Sequence, residues 1–348
     1  MTIASPFELA NIDGTNGTVI QGVSGSQSFA YDVSSIGDIN RDGIDDFVIG
    51  EEENNRAYVI FGNANGIPNN LNVNALGRNG YRIIGPVDSD LGEEAAGVGG
   101  DVNQDGFNDF IVGASNAASA YVIFGGTTTA DLSVVNSNNN RFIKIQGITG
   151  DQFGYSVGGA GDFNGDGVSD VVIGAPGPFD GDGSVFILYG GANFPTEELD
   201  LNVANSLNVT NGLRIDNDVT TDGSPGFGLD VDSAGNFDGI GPNDIIVSDP
   251  GANGDEGAVF IISGDNNSTS TPRNLSEFSF LRVDGVGTDF AGTSVSRTGN
   301  VGGSSNDDVI IGAPGRGAGR AYVIFGRGGG IIDLSTTTLT GTNGFVIT

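Results

Sequence analysis

The sequence predicts an all-β chain, a β-propeller of four-stranded blades, and three repeating features carry that prediction. An Asp/Asn-rich loop begins at Asp38, Asp101, Asp162, Asn236 and Asn300, at spacings of 63, 61, 74 and 64 residues. A β-branched and aromatic block keeps the same beat: Ala57-Tyr-Val-Ile-Phe-Gly62, Ala120-Tyr-Val-Ile-Phe-Gly125, Val185-Phe-Ile-Leu-Tyr-Gly190, Ala258-Val-Phe-Ile-Ile262 and Ala321-Tyr-Val-Ile-Phe-Gly326. No helical period of 3.6 persists over a useful length.

Each module reads as four strands. A Gly/Ser-rich segment precedes the loop, and a short apolar strand follows it, as in Phe47-Val-Ile-Gly50, Phe110-Ile-Val-Gly-Ala114 and Val171-Val-Ile-Gly-Ala-Pro176. The Tyr-Val-Ile-Phe block comes third; apolar on both faces, it belongs inside a stack of sheets. The fourth strand recurs as Val19-Ile-Gln-Gly22, Tyr81-Arg-Ile-Ile-Gly85, Phe142-Ile-Lys-Ile-Gln-Gly147, Leu213-Arg-Ile215, Leu281-Arg-Val-Asp-Gly285 and Phe345-Val-Ile347. That is six copies against five of the other features, so the copy near the N-terminus lacks the three strands that should precede it. One blade cannot bury both faces alone, so closure is expected. Val19 to Gly22 is the candidate to complete the far blade by pairing with the Tyr322 to Phe325 strand, with Phe345 to Ile347 competing for that edge. The whole chain, 1–348, reads as one domain with modules at 17–80, 81–140, 141–212, 213–280 and 281–343.

Composition narrows the function. The 348 residues carry 44 acidic and 13 basic side chains, a formal charge of −31, and no apolar run long enough to span a membrane. Such a surface repels nucleic-acid phosphates and anionic lipid, so neither nucleic acid nor membrane insertion is expected. Cysteine and histidine are both absent, which excludes disulfides, thiolate or imidazole metal sites, a Cys nucleophile and a Ser-His-Asp triad. No cleavable signal is visible at Met1-Thr-Ile-Ala-Ser-Pro6.

The loops are the candidate metal sites. Asp38, Asn40, Asp42 and Asp46 stand at positions 1, 3, 5 and 9, with the carbonyl of Ile44 at position 7. Asp101, Asn103, Asp105, Phe107 and Asp109 repeat the pattern, as do Asp162, Asn164, Asp166, Val168 and Asp170. Oxygen ligands at alternate positions around a glycine turn suit a hard cation, and the set predicts about three Ca²⁺ sites. An EF-hand is excluded, because position 12 is Ile49, Val112 or Ile173 rather than a bidentate glutamate. The fourth loop (Asn236, Asp238, Asp244) puts Ile240 where the middle carboxylate belongs, and the fifth (Asn300 to Asp308) reads as a plain turn. Glu51-Glu-Glu53 reads as a solvated loop.

Phe153-Gly154, the loop, Gly174-Ala175-Pro176 and a Tyr-Val-Ile-Phe-Gly type strand together resemble the FG-GAP repeat of integrin α-subunit propellers and their bacterial relatives. Phe227-Gly228 and Phe290-Ala291 read as further first halves, and Gly312-Ala-Pro314 as a second half. The resemblance implies a propeller, usually seven-bladed, with calcium in loops joining the first two strands of certain blades; five modules are found here. It also implies adhesion or binding of a protein or carbohydrate ligand at the cell surface or outside the cell, without catalysis. The alternatives are a polysaccharide lyase or hydrolase on the propeller scaffold, or a structural module of a larger secreted assembly.

Overall fold

The β-branched and aromatic blocks form strands because each can be buried on both faces between neighbouring sheets. A computed structural model describes residues 12, 16–97, 99–135, 140–177, 183–219, 226–266, 270–315 and 319–348. Five antiparallel blades follow one another along the chain, as expected for the propeller. Blade 1 runs Val33–Gly37, Asp46–Glu51, Arg56–Ile60 and Gly80–Ile84; blade 2 runs Ala95–Gly97, Phe110–Ala114, Ser119–Ile123 and Phe142–Gln146. Blade 3 is Val157–Gly161, Asp170–Ala175, Ser184–Leu188 and Gly212–Asp216, and blade 4 is Val231–Gly235, Asp244–Asp249, Ala258–Ile262 and Phe280–Asp284. Blade 5 is Ser294–Gly299, Asp308–Ala313, Arg320–Ile324 and Gly344–Ile347.

The first four blades also carry a short fifth strand, which the sequence reading lacked. Leu132–Ser133, Leu199–Asp200, Arg273–Asn274 and Gly330–Asp333 each come from the following module and pair in parallel with the outer strand. Most of these pairings last only two residues, too brief for alternation to mark them. They strap each blade to the next.

Apolar clusters lie between successive blades. One joins blades 1 and 2 around Val59, Ile83, Phe110 and Tyr121, and the next joins blades 2 and 3 around Val122, Ile145, Phe153 and Phe186. Equivalent clusters join blades 3 and 4, and blades 4 and 5. A fifth covers the outer face of blade 1, where Ile49, Tyr58 and Ile60 lie beneath Leu71, Val73, Leu76, Ile20 and Phe29.

The end of the chain differs from the closure expected. Gly344–Ile347, not the N-terminal strand, pairs with the third strand of blade 5, setting Phe345 against Val323. Ile20–Gln21 instead pairs in parallel with Leu71–Asn72, beside blade 1. The reason is proximity along the chain: the C-terminal strand returns from its own third strand through a local connection. Inner strands of successive blades pack on one another, whereas among the described residues those of blades 1 and 5 do not pack in this way.

Candidate functional site

Each blade is locked at the corner leading to its inner strand. The N–H of Gly154 donates to the carbonyl of Gly174 at 3.0 Å, tying Phe153-Gly154 to Gly174-Ala-Pro176. Ala30 to Gly50, Gly92 to Gly113, Gly228 to Ser248 and Gly292 to Gly312 make the same bond in the other blades. Gly154 adopts φ 85°, a left-handed conformation that favours glycine. The preceding aromatic ring packs over the glycine ending an outer strand: a Cβ on Gly147 would stand 2.2 Å from the Phe153 ring. These bonds also correct the register of the last copy. Ala291-Gly292 occupies the corner in blade 5, and Phe290, at φ 51°, takes the left-handed place held by Gln152 in blade 3.

The corner sets the inner strand, and the inner strand launches the loop. All three candidate loops, 38–46, 101–109 and 162–170, join the first and second strands of blades 1, 2 and 3. Position 6 is left-handed in each (Gly43 φ 86°, Gly106 φ 92°, Gly167 φ 89°), which is why glycine stands there. Side-chain oxygens turn inward to bond the loop's own backbone. The Asn40, Asn103 and Asn164 Oδ1 atoms accept from the N–H of Asp42, Asp105 and Asp166 at 2.8–2.9 Å. The Oδ1 atoms of those aspartates then accept from Ile44, Phe107 and Val168 at 2.9–3.0 Å. At position 1, Asp38 and Asp162 Oδ2 accept from Gly43 and Gly167 at 2.8 and 3.0 Å, and Asp101 accepts likewise from Gly106.

Position 9 has a role that sequence spacing did not reveal. Asp46, Asp109 and Asp170 are fully buried, and each holds two segments of its blade together. One oxygen of Asp170 accepts from the N–H groups of Phe163 and Asn164 at 2.9 and 3.1 Å; the other accepts from Gly190, beyond the third strand, at 2.9 Å. Asp46 bridges Ile39 and Gly62, and Asp109 bridges Val102 and Gly125. The two degenerate loops keep this clasp: Asp244 binds Phe237, Asp238 and Gly264, and Asp308 binds Val301, Gly302 and Gly326. The fifth loop is therefore more than a plain turn, and its aspartate is structural. Glu51 also departs from the solvated reading. It is fully buried on the outer face of blade 1, where its carboxylate accepts from Tyr58 Oη at 2.5 Å.

The fit to a cation rests on orphaned oxygens. Asp162 Oδ1, at position 1 of the third loop, is buried without a hydrogen-bond partner, as is Asn236 Oδ1 at the same position of the fourth. Such acceptors in a ring of other acceptors lack a positive centre rather than a further oxygen. Among the described residues, however, no three Asp or Glu side chains converge closely enough to hold a metal by themselves. Any coordination must enlist the Asn carboxamide and the position-7 carbonyl.

Burial pushes the clasp carboxylates up, against the opposing pull of their N–H donors: Asp46 and Asp244 to about 6, Asp109 and Asp170 to about 7. An unfolded aspartate titrates near ~3.9. The native state therefore holds extra protons, and the stability they supply is fully present below the unfolded value and fades as pH rises through about 7. In the presence of a chelator, thermal unfolding is expected at a higher temperature at pH 5 than at pH 7.5. A lower midpoint at pH 5 would contradict these shifts.

The inner strands add a second acidic surface that no motif announced. Asp32 accepts from the Ala95 N–H at 2.9 Å, and Asp230 from the Val295 N–H at 2.6 Å, so each reaches the next blade. Burial, followed by the charges of Asp230, Asp32, Glu93 and Asp232, raises Glu94 well above the usual carboxylate range. Carboxylates of blades 1, 2 and 4 thus share one electrostatic neighbourhood.

The family model of the FG-GAP repeat matches residues 153–188. Those residues hold the Phe153-Gly154 corner, the third loop, Gly174-Ala-Pro176 and the third strand of blade 3. The chain carries an FG-GAP repeat. It is also similar to integrin alpha-6 of Homo sapiens, 35% identical over 165 residues, which is 45% of this chain and 13% of that protein. Integrin alpha-7 of Homo sapiens is 30% identical over 158 residues (43% of this chain, 12% of the relative), and integrin alpha-6 of Gallus gallus 28% over 159 (45% and 14%). The matched stretch thus spans 12–14% of these curated relatives' own length. The likeness is to an integrin-like FG-GAP propeller. No helix among the described residues is long and apolar enough to cross a membrane.

Proposed function

We propose that this chain is a non-catalytic, calcium-stabilised FG-GAP propeller domain that presents a ligand-binding surface outside the cell, in adhesion or recognition of a protein or carbohydrate. The observation that carries the reading is the third loop, where the buried and unpartnered Oδ1 of Asp162 lies within the FG-GAP match. In loops 1 to 3 the holding groups would be the side chains at positions 1, 3 and 5 and the carbonyl of Ile44, Phe107 or Val168. Bound calcium would neutralise part of the loop charge and fix its turn. The position-9 aspartates would add charge from beneath while remaining structural clasps. Extracellular modules bind calcium with dissociation constants of about 10⁻⁴–10⁻³ M, which suits a millimolar external supply. Adhesion enters only through the similarity to integrin α chains, since a fold alone does not license a function.

Isothermal titration is expected to reveal close to three calcium sites with magnesium much weaker, because a flexible oxygen-rich loop favours the larger ion. Asp166→Ala, at an exposed position 5, should remove one site and leave the metal-free melting temperature within a degree or two. No calcium heat and no metal by elemental analysis would end the proposal. A panel of acidic and neutral polysaccharides, incubated with and without calcium, should remain uncleaved; turnover would establish the enzyme reading instead.

A further inference from the structure

The two ends of the blade series are complementary halves of one blade-to-blade junction. At the N-terminal end, Ile20 pairs with Leu71 and Gln21 with Asn72, in parallel. Ile83 with Leu132, Ile145 with Leu199 and Ile215 with Arg273 make the same pairing within complete blades. Ile20–Gln21 therefore stands where the outer strand of a blade preceding blade 1 belongs, and among the described residues it has no third strand beside it.

Blade 5 presents the opposite deficiency. It has all four antiparallel strands but, among the described residues, no parallel strap on its outer strand. The positions facing the next blade are buried in blade 2 (Ile111, Ala120, Val122, Ile143 and Ile145). The strand registers place Ile310, Ala321, Val323, Phe345 and Ile347 at those positions in blade 5. Phe345 is 39% exposed and Ile347 51%, against 6% and 0% for Ile143 and Ile145.

The sequence ties the two ends together. Gly14-Thr-Asn-Gly-Thr-Val-Ile20 and Gly341-Thr-Asn-Gly-Phe-Val-Ile347 differ only at the fifth residue. We infer that the exposed face of blade 5 docks on blade 1 of a second copy of this chain, head to tail. The outer strand Gly344–Ile347 of one copy takes the place of Ile20–Gln21 against Leu71–Asn72 of the next. Two arguments favour this occupant. The junction continues an interface that the chain already builds four times, and the strand offered has nearly the sequence of the strand it replaces. Ile20–Gln21 is held by a two-residue parallel pairing and by Ile20 packed on the blade 1 cluster, and Ile347 would replace Ile20 in both. The contact is heterologous, and each docked copy leaves a free end for another. Both partners are strongly acidic, so association should strengthen as salt screens them.

The absence of native cysteine makes a direct test possible. In this docking Thr348 of one copy falls opposite Asn72 of the next, as Gln21 does in the structure. Thr348→Cys and Asn72→Cys variants of the 348-residue chain, mixed and mildly oxidised at 0.3 M salt, are expected to yield the mixed disulfide dimer in excess over either homodimer. Sedimentation of the unmodified chain should show association that rises with concentration and salt. Ile347→Asp, a substitution at an exposed position, should weaken that association at least tenfold while the melting temperature of dilute protein stays within a degree or two. A chain that stays monomeric at all concentrations, or cross-links no better than random, overturns the inference. So does a double variant that forms only an intrachain disulfide, because blade 5 would then close on its own blade 1.

Discussion

Replacing Asp170 by alanine is expected to destabilise the protein by roughly 3 kcal/mol or more, with or without calcium. The substitution leaves the N–H groups of Phe163, Asn164 and Gly190 without their acceptor in the interior. Each buried, unsatisfied donor costs about 1–3 kcal/mol, and relief from burying a carboxylate offsets only part of the sum. Asp170→Asn retains one acceptor oxygen and should fall between wild type and alanine. Asp308→Ala should be comparably costly, because Val301, Gly302 and Gly326 lose the same clasp, although the loop above it lacks the acidic ligand set. Urea unfolding in chelator measures all three. If Asp170→Ala costs no more than Asp166→Ala there, the clasp is not a structural device and position 9 serves the metal alone.

Removing calcium should have an effect of similar size by another route. A ligand present at ten times its dissociation constant stabilises the folded state by about 1.4 kcal/mol per site, so three loops together contribute about 4 kcal/mol. That is a large part of the ~5–15 kcal/mol that holds a typical domain folded. Unfolding curves in millimolar calcium and in chelator should therefore separate clearly, with the gap widening as pH rises past about 7. Above that value Asp109 and Asp170 have lost the protons that partly replace the cation. Magnesium at the same concentration should recover little. Superimposable curves would mean that the loops are Asx-rich turns, held by the hydrogen bonds of Asn40, Asn103 and Asn164 and needing no cation.

The sequence by itself determined the all-β class, the four antiparallel strands of each blade and the loop between the first two, but not the short parallel straps. Those properties are local: a Tyr-Val-Ile-Phe block needs burial on both faces, and a glycine at position 6 needs a left-handed turn. The corner bond was only half legible. Phe153-Gly154 announces itself, but in blade 5 Ala291 stands at the aromatic position, and the neighbouring Phe290 mimics the motif one residue out of register. The clasp shared by Asp46, Asp109, Asp170, Asp244 and Asp308 was decided by tertiary structure, because its second donor lies 16 to 20 residues away beyond the third strand. Which terminal strand completes blade 5 was also a tertiary matter. Residues 18–21 and 345–348 are both short, polar-flanked β segments with equal local claims. Only the geometry of the third strand, which the C-terminal segment reaches through its own connection, separates Phe345, paired with Val323, from Ile20, paired with Leu71.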